Sequence, residues 1–258
     1  MIETYFIIGI GIICILSLIF LYKYLIIRDN SDINTSKIPK VIYQTYKDKN
    51  VPTIVRERWL ELNPDYVYYL YDDDDCYNFL IKYYTKEHAD FFKYKIKDGP
   101  IKSDFWRVCI LYQFGGIYAD IDIVLHVPID NFVDSDTTLY TCISVHDKEL
   151  NPHFIATIPK NPLILDCINI YMKEKINTPY EYWNYSIVQI MANILQNYLN
   201  NYNLKEGKYK IKNHTIQLSQ EVCPDWNNIK TCFIQQNERN IMNNRDYNLY
   251  NEYTHEFI

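Results

Sequence analysis

The stretch from Pro100 to Pro128, PIKSDFWRVCILYQFGGIYADIDIVLHVP, constrains this chain more than any other. Lys102 to Gln113 contains neither Gly nor Pro, and Phe105, Val108, Cys109 and Tyr112 recur at i, i+3, i+4 and i+7. That spacing predicts a helix with one apolar stripe. Asp104 and Arg107, three apart, share another part of the same helix surface. The run stops at Gly115-Gly116, and because the chain has only six glycines, an adjacent pair there reads as a C-cap and tight turn. From Ile117 the period becomes two, with Ile117, Ala119, Ile121, Ile123 and Leu125 on one face and Tyr118, Asp120, Asp122 and Val124 on the other. Asp120 and Asp122 are therefore expected to project together from a strand, their Cα atoms roughly 6 to 7 Å apart. Paired carboxylates repel unless neutralised, and hard oxygen ligands suit Mg²⁺ or Mn²⁺. Alone, an Asp-x-Asp is more often a solvated acidic edge, and an i, i+3 Asp/Arg pair a surface ion pair. The two in this order, joined by a glycine pair, favour chemistry.

The order resembles that of the DXD sugar-transferase family (glycosyltransferase family 32), related to fungal Golgi mannosyltransferases, capsular polysaccharide transferases and glucosylating bacterial toxins. The resemblance is carried by Ser103-Asp104, Arg107, Leu111-Tyr112, Gly115-Gly116-Ile117-Tyr118 and Asp120-Ile121-Asp122. A second block, Ile38-Pro39-Lys40-Val41-Ile42-Tyr43-Gln44-Thr45-Tyr46, is similar to the family's first strand. The resemblance runs from Ile38 to about Pro128. It implies an α/β fold of GT-A type, a Rossmann-like mixed sheet for nucleotide-sugar binding, flanked by helices. It implies a UDP- or GDP-linked sugar donor, Mn²⁺ or Mg²⁺ as cofactor, and retaining transfer of a hexosyl or N-acetylhexosaminyl unit to a glycan or glycolipid hydroxyl. Asp104, Arg107, Asp120 and Asp122 are the expected catalytic set. Asp122 would bind the metal directly, and Asp120 would face the metal, its water, ribose or a sugar hydroxyl. Arg107 would hold a sugar hydroxyl or the diphosphate, with Asp104 orienting the sugar. Ligands in α/β folds lie at the carboxyl ends of strands, which puts Gln44, Thr45 and Tyr46 beside base and ribose, Tyr46 replacing the family's stacking Trp; Tyr118 joins the donor-binding set. The Thr-Gly-Pro triplet of many relatives is missing, so acceptor-side residues are not carried over.

At 258 residues the chain can hold one sizeable domain. A net charge of −6 with no basic stripe argues against nucleic acid as a partner. The bias to Tyr, Ile, Asn and Lys is the trace of an AT-rich genome, such as that of a large virus or a protist. Residues 4–27 form an apolar run long enough to cross a bilayer, predicting a transmembrane anchor over 1–29, a stem over 30–37 and the transferase domain over 38–258. Glu3 before the uncharged stretch Thr4–Tyr22, and Lys23 and Arg28 after it, put the domain on the cytosolic side by flanking charge; the family resemblance puts it in the Golgi or ER lumen. Asn34, Asn184 and Asn213 head N-x-S/T triplets that would suit a lumen. Of seven cysteines, Cys14 lies in the apolar run, and the rest form no C-x-x-C or Cys/His metal pattern. Cys109 and Cys167 occupy apolar helix positions that suit buried thiols.

In chain order the sequence predicts a strand at Ile38–Thr45, a helix at Pro52–Leu62 and a strand at Tyr66–Tyr71. Asp72–Asp75 read as helix-capping carboxylates before a helix at Cys76–Tyr84, followed by a helix at Thr85–Lys97. Further strands are expected at Leu139–Ser144 and Phe154–Ile158, helices at Leu163–Lys175 and Tyr180–Asn200, and short β runs from Tyr209 onward. Trp183, Ile187, Ile190, Met191, Ile194, Leu195 and Tyr198 should face inward. Cys223-Pro224-Asp225-Trp226 is a candidate loop at the site mouth, and the resemblance to sugar transferases makes His255 a candidate to face the metal. Three other readings compete: a DXD phosphatase of haloacid-dehalogenase type, a nucleotidyltransferase, and a membrane-anchored sugar- or glycan-binding protein without turnover. The first leaves the glycine pair and the Asp/Arg pair unexplained, the second wants a third carboxylate, and the third wastes an intact acidic set.

Overall fold

The apolar and β-branched runs after Lys37 assemble into one mixed sheet with helices on its faces. The structure, a computed structural model, describes residues 37–146, 149–174, 185–225, 228–246, 248–251 and 256–257, all within the unit Ser36–Ile258. The anchor, most of the stem, Asn34, Asn184, Trp226 and His255 lie outside the described residues. Among those described, no helix is long and apolar enough to cross a membrane.

The first strand, β1 (Val41–Thr45), lies parallel to β2 (Val67–Tyr71) and β3 (Gly116–Ala119). Between them run α1 (Thr53–Leu62), α2 (Asp73–Tyr83), α3 (Lys86–Asp90) and α4 (Gly99–Phe114). Asp72 and Asp75 form the capping box of α2, the role expected of the acidic run. The expected helix Thr85–Lys97 is α3 followed by a π turn, Phe91–Lys95. Asp98, with Pro100 in the first turn, starts α4, and Gly115 (φ 65°) ends it. From Asp104 to Leu111 every residue of α4 is buried, since α4 packs into a cluster with residues of α2, β6 (Leu150–Thr157), α5 (Pro162–Glu174) and α6 (Ile187–Leu199). A helix enclosed on all sides has no solvent face for an ordinary surface ion pair. Tyr198 of α6, expected inside, is 43% exposed and its hydroxyl donates to Asp166 at 2.8 Å. The described turns of the expected 180–200 helix begin at Ile187, after the cap Ser186.

After β3 come β4 (Val124–Leu125), β5 (Leu139–Ile143) and β6, then β7 (Gly207–Ile211), β8 (His214–Val222), β9 (Phe233–Gln236) and β10 (Arg239–Asn243). The order is β2-β1-β3-β6-β5-β8-β9-β10-β4, with β7 on β8; β11 (Tyr250–Asn251) and β12 (Glu256–Phe257) form a separate pair. In a flat sheet, six strand spacings of about 4.8 Å would put β4 about 29 Å from β3. The five residues from Ala119 to Val124 span at most about 18 Å. The sheet must therefore curl, bringing its far edge back towards β3. This corrects the expected Ile117–Leu125 strand: β3 ends at Ala119, Asp120–Asp122 make a turn in which Ile123 N–H donates to Asp120 O at 3.3 Å, and β4 departs to pair with β10.

Candidate active site

The turn lies at the carboxyl ends of β1 and β3, and α4 supplies what lies beneath it. Arg107 is buried, and its donors meet protein acceptors: Nη2 lies 2.8 Å from Asp104 Oδ1 and 3.0 Å from Asp120 Oδ1. Its Nη1 donates to Pro152 O at 2.7 Å and its Nε to Ser103 O at 3.3 Å. The guanidinium also stacks over the Tyr118 ring, 4.4 Å from its centroid. Asp104 Oδ2 accepts from the Ile187 N–H at 3.1 Å, tying the start of α6 to α4. Tyr118 donates to Asp120 Oδ1 at 3.2 Å and meets Thr45 Oγ1 at 3.1 Å, while Thr45 reaches Ser103 Oγ at 3.2 Å. Gln44 donates to Asp120 O at 2.9 Å and accepts from Tyr68. Six of the residues singled out in the sequence, Gln44, Thr45, Asp104, Arg107, Tyr118 and Asp120, thus form one hydrogen-bonded network.

Asp122 and Tyr46 meet other parts of the chain. Asp122 is buried, and its Oδ2 accepts from Arg245 Nε at 2.6 Å. Tyr46 packs edge-on against Phe257 of β12, ring centroids 5.2 Å apart. The register explains Arg245: β10 pairs Asn243 with Val124 and Met242 with Leu125, so continuing the antiparallel count brings Arg245 opposite Asp122. No local pattern in an Asn-rich segment marks it.

The sequence reading also passed over His153. Ala119 pairs with Phe154, and the next pair sets Asp120 beside His153, whose carbonyl accepts the Asp120 N–H at 2.8 Å. Side chains across an antiparallel pair share a face, so His153 stands with Tyr118 and Asp120. Its Nδ1 lies 3.0 Å from Asn151 O, which can only accept, so the proton sits on Nδ1. Nε2 is buried without a hydrogen-bond partner among the described residues. Burial holds this imidazole below its ordinary pKa, against the fields of Glu221 and Asp120.

Burial pushes the Asp104 carboxyl up to about 6, the Arg107 charge and the Ile187 N–H opposing it. Burial likewise raises Asp122 to about 6, against the pull of Arg245. Burial raises the Tyr118 phenol too, keeping it a neutral donor to Asp120. Among the described residues no three His, Cys, Asp or Glu side chains converge on a cation position. The two turn carboxylates are hard oxygen donors, a set that fits Mg²⁺ or Mn²⁺ when substrate phosphates and water complete the sphere. The cavity behind the turn, lined by Arg58, Trp59, Asp122 and Asp246, holds about 20 Å³, room for a water and not for a nucleotide.

The chain, a mixed, curled sheet with an acidic turn over a buried Asp/Arg pair, is similar to known glycosyltransferases in part of its sequence and in its fold. The stretch from residue 50 to 139 matches the model of the family described as the glycosyltransferase sugar-binding region containing DXD motif. Mannosyl phosphorylinositol ceramide synthase of Saccharomyces cerevisiae is 39% identical over 89 residues, 33% of this chain and 22% of that protein. Inositol phosphoceramide mannosyltransferase 1 of Schizosaccharomyces pombe is 29% identical over 143 residues, 52% of this chain and 42% of that one. An uncharacterised glycosyltransferase of Acanthamoeba polyphaga mimivirus is 30% identical over 147 residues, 53% of this chain and 57% of that one. The chain therefore spans about a fifth to three-fifths of the length of these relatives. In fold it resembles the PaToxG glycosyltransferase, with a TM-score of 0.50 and 17% identity over 68% of this chain and 76% of that one.

Proposed function

We propose that this protein transfers a hexosyl unit from a nucleoside diphosphate sugar to a hydroxyl of a glycan or glycolipid. The observation that carries this reading is the Asp120–Asp122 turn, held over the buried Asp104–Arg107 pair at the strand ends. The names of the fungal relatives favour mannose as the unit and an inositol phosphoceramide or a glycan as acceptor. Asp120 and Asp122 would hold Mn²⁺ or Mg²⁺, which as a Lewis acid would stabilise the negative charge that grows on the departing diphosphate. Arg107 and Tyr118 fix the Asp120 carboxylate, so the site's geometry is set before the donor arrives. Gln44 acts from below by holding the Asp120 carbonyl. Tyr46, at the end of β1, is the candidate platform for the base. The Nε2 of His153 is an acceptor suited to a sugar or acceptor hydroxyl. Retention at the anomeric carbon follows from the family resemblance.

We further assign the domain to an oxidising lumen, anchored through residues 4–27. In support, Cys223 and Cys232 form a disulfide at the next pair after Val222–Phe233, and the free cysteines among the described residues, Cys76, Cys109, Cys142 and Cys167, are all buried. Asn213 is exposed at the tip of the β7–β8 hairpin, where a glycan has room.

The test incubates the purified protein with Mn²⁺ and a panel of GDP- and UDP-linked sugars, GDP-mannose first. Release of GDP or UDP from one donor, lost in Asp122→Asn and with EDTA, is the expected result. Failure to bind any donor, with or without Mn²⁺, refutes the transferase reading. Rapid alkylation of Cys223 and Cys232 in unreduced cell extract would refute the lumenal assignment.

A further inference from the structure

Arg107 and Arg245 both touch the Asp-x-Asp turn, and they are built differently. Arg107 is sunk in α4 and holds Asp104, Asp120, Pro152 and Ser103; it has little to offer a ligand without dismantling the network. Arg245 comes from the segment after β10, with its side chain 31% exposed over a carboxylate that is 9% exposed. The backbone around it is held on both sides. Asn244 Nδ2 donates to Glu221, Asp246 N–H donates to Asp122 O at 2.6 Å, and the Asp246 carboxylate pairs with Arg58. What spans from this fixed strap to Asp122 is one long, partly exposed side chain.

We propose that Arg245 is a ligand of the donor's diphosphate, and that in the empty site it neutralises Asp122 in the cation's stead. The inference rests on the reading of Asp122 as a cation ligand. A buried carboxylate needs a countercharge, and Arg245 supplies it at 2.6 Å. A divalent cation on the same carboxylate repels the guanidinium, while the diphosphate brings negative oxygens into its reach. The planar fork of arginine matches a phosphate's paired oxygens. Cation and nucleoside diphosphate then favour one another's binding. The cation alone must compete with Arg245 for Asp122, but with the diphosphate present Arg245 has a better partner.

The experiment measures Mn²⁺ alone by electron paramagnetic resonance titration, and GDP and UDP at saturating Mn²⁺ by calorimetry, on wild type, Arg245→Gln, Arg245→Lys and Asp122→Asn. Arg245→Gln should bind Mn²⁺ alone about tenfold more tightly and the nucleoside diphosphate about tenfold or more weakly, the range of one charge-assisted hydrogen bond. Arg245→Lys, which keeps the charge without the fork, should fall between wild type and Gln on both axes. Opposite signs cannot arise from a merely structural role, which would weaken both ligands together. If Arg245→Gln weakens both or leaves Mn²⁺ affinity unchanged, the proposal is overturned and the cation reading stands. If Asp122→Asn binds Mn²⁺ as wild type does, the cation reading itself fails, and the proposal with it.

Discussion

Replacing Arg107 by Leu tests whether the Asp/Arg pair under the turn is a buried element of the fold. Arg107 and Asp104 are 4% and 3% exposed, at 2.8 Å, and the same guanidinium holds Asp120 and the Pro152 carbonyl. Leucine keeps much of the volume but leaves Asp104 with the Ile187 N–H as its remaining described partner and removes the countercharge between two carboxylates. Breaking a buried pair from one side costs about 3–5 kcal/mol. In a domain of this size that corresponds to a Tm lower by about 10 °C, at about 2–4 °C per kcal/mol. Urea and thermal unfolding at pH 7 measure the loss directly. A cycle with Asp104→Leu should show the double variant recovering part of it, because the stranded carboxylate is gone. A loss below about 1 kcal/mol, the worth of an exposed pair, would refute the reasoning.

The glycine pair and the buried carboxylate give two further tests. At Gly116 (φ 98°) a Cβ would lie 2.8 Å from Val41 O, so Gly116→Ala should cost about 2 kcal/mol or more by combined strain and clash; Gly99→Ala, with nothing within 4 Å, is the control, and equal urea midpoints for the two would count against the reading. Asp122 is raised from 3.8 to about 6, so between those values the folded state holds a proton that the unfolded chain has lost. Its contribution favours the fold at acid pH and is lost as the pH rises through 6. Asp122→Asn should therefore gain stability relative to wild type between pH 4 and 7, by up to about 3 kcal/mol; a pH-independent difference in Tm refutes this.

The local parts of the site were legible because local forces set them. A helix needs only its period and caps, and α4 lies close to where the pattern of Phe105, Val108, Cys109 and the glycine pair puts it. The capping carboxylates at Asp72–Asp75 and most strands were legible for the same reason. The alternation from Ile117 misled, because a period of two describes a strand without saying where the sheet must bend. Closing the short link between β3 and the far edge requires the turn at Asp120–Asp122. The burial of Asp104 and Arg107 was equally out of reach: their spacing is that of a surface pair, and only tertiary packing brings the Ile187 N–H of α6, the Pro152 carbonyl of β6 and the Tyr118 ring of β3 against them.

Taken by itself, the sequence determined the chemistry available: two carboxylates in an Asp-x-Asp, an Asp/Arg pair one helix earlier, and the glycines that set them near one another. Those features act over a few residues, where backbone sterics and side-chain period decide the outcome. The tertiary structure decided what surrounds them. Arg245 reaches Asp122 through the β4–β10 register, His153 stands beside Asp120 through the β3–β6 register, and Cys223 meets Cys232 through the β8–β9 register. Pairings between distant segments depend on sheet order and curvature, which are set by burying both faces of the whole sheet at once and leave no mark on any one stretch of the chain.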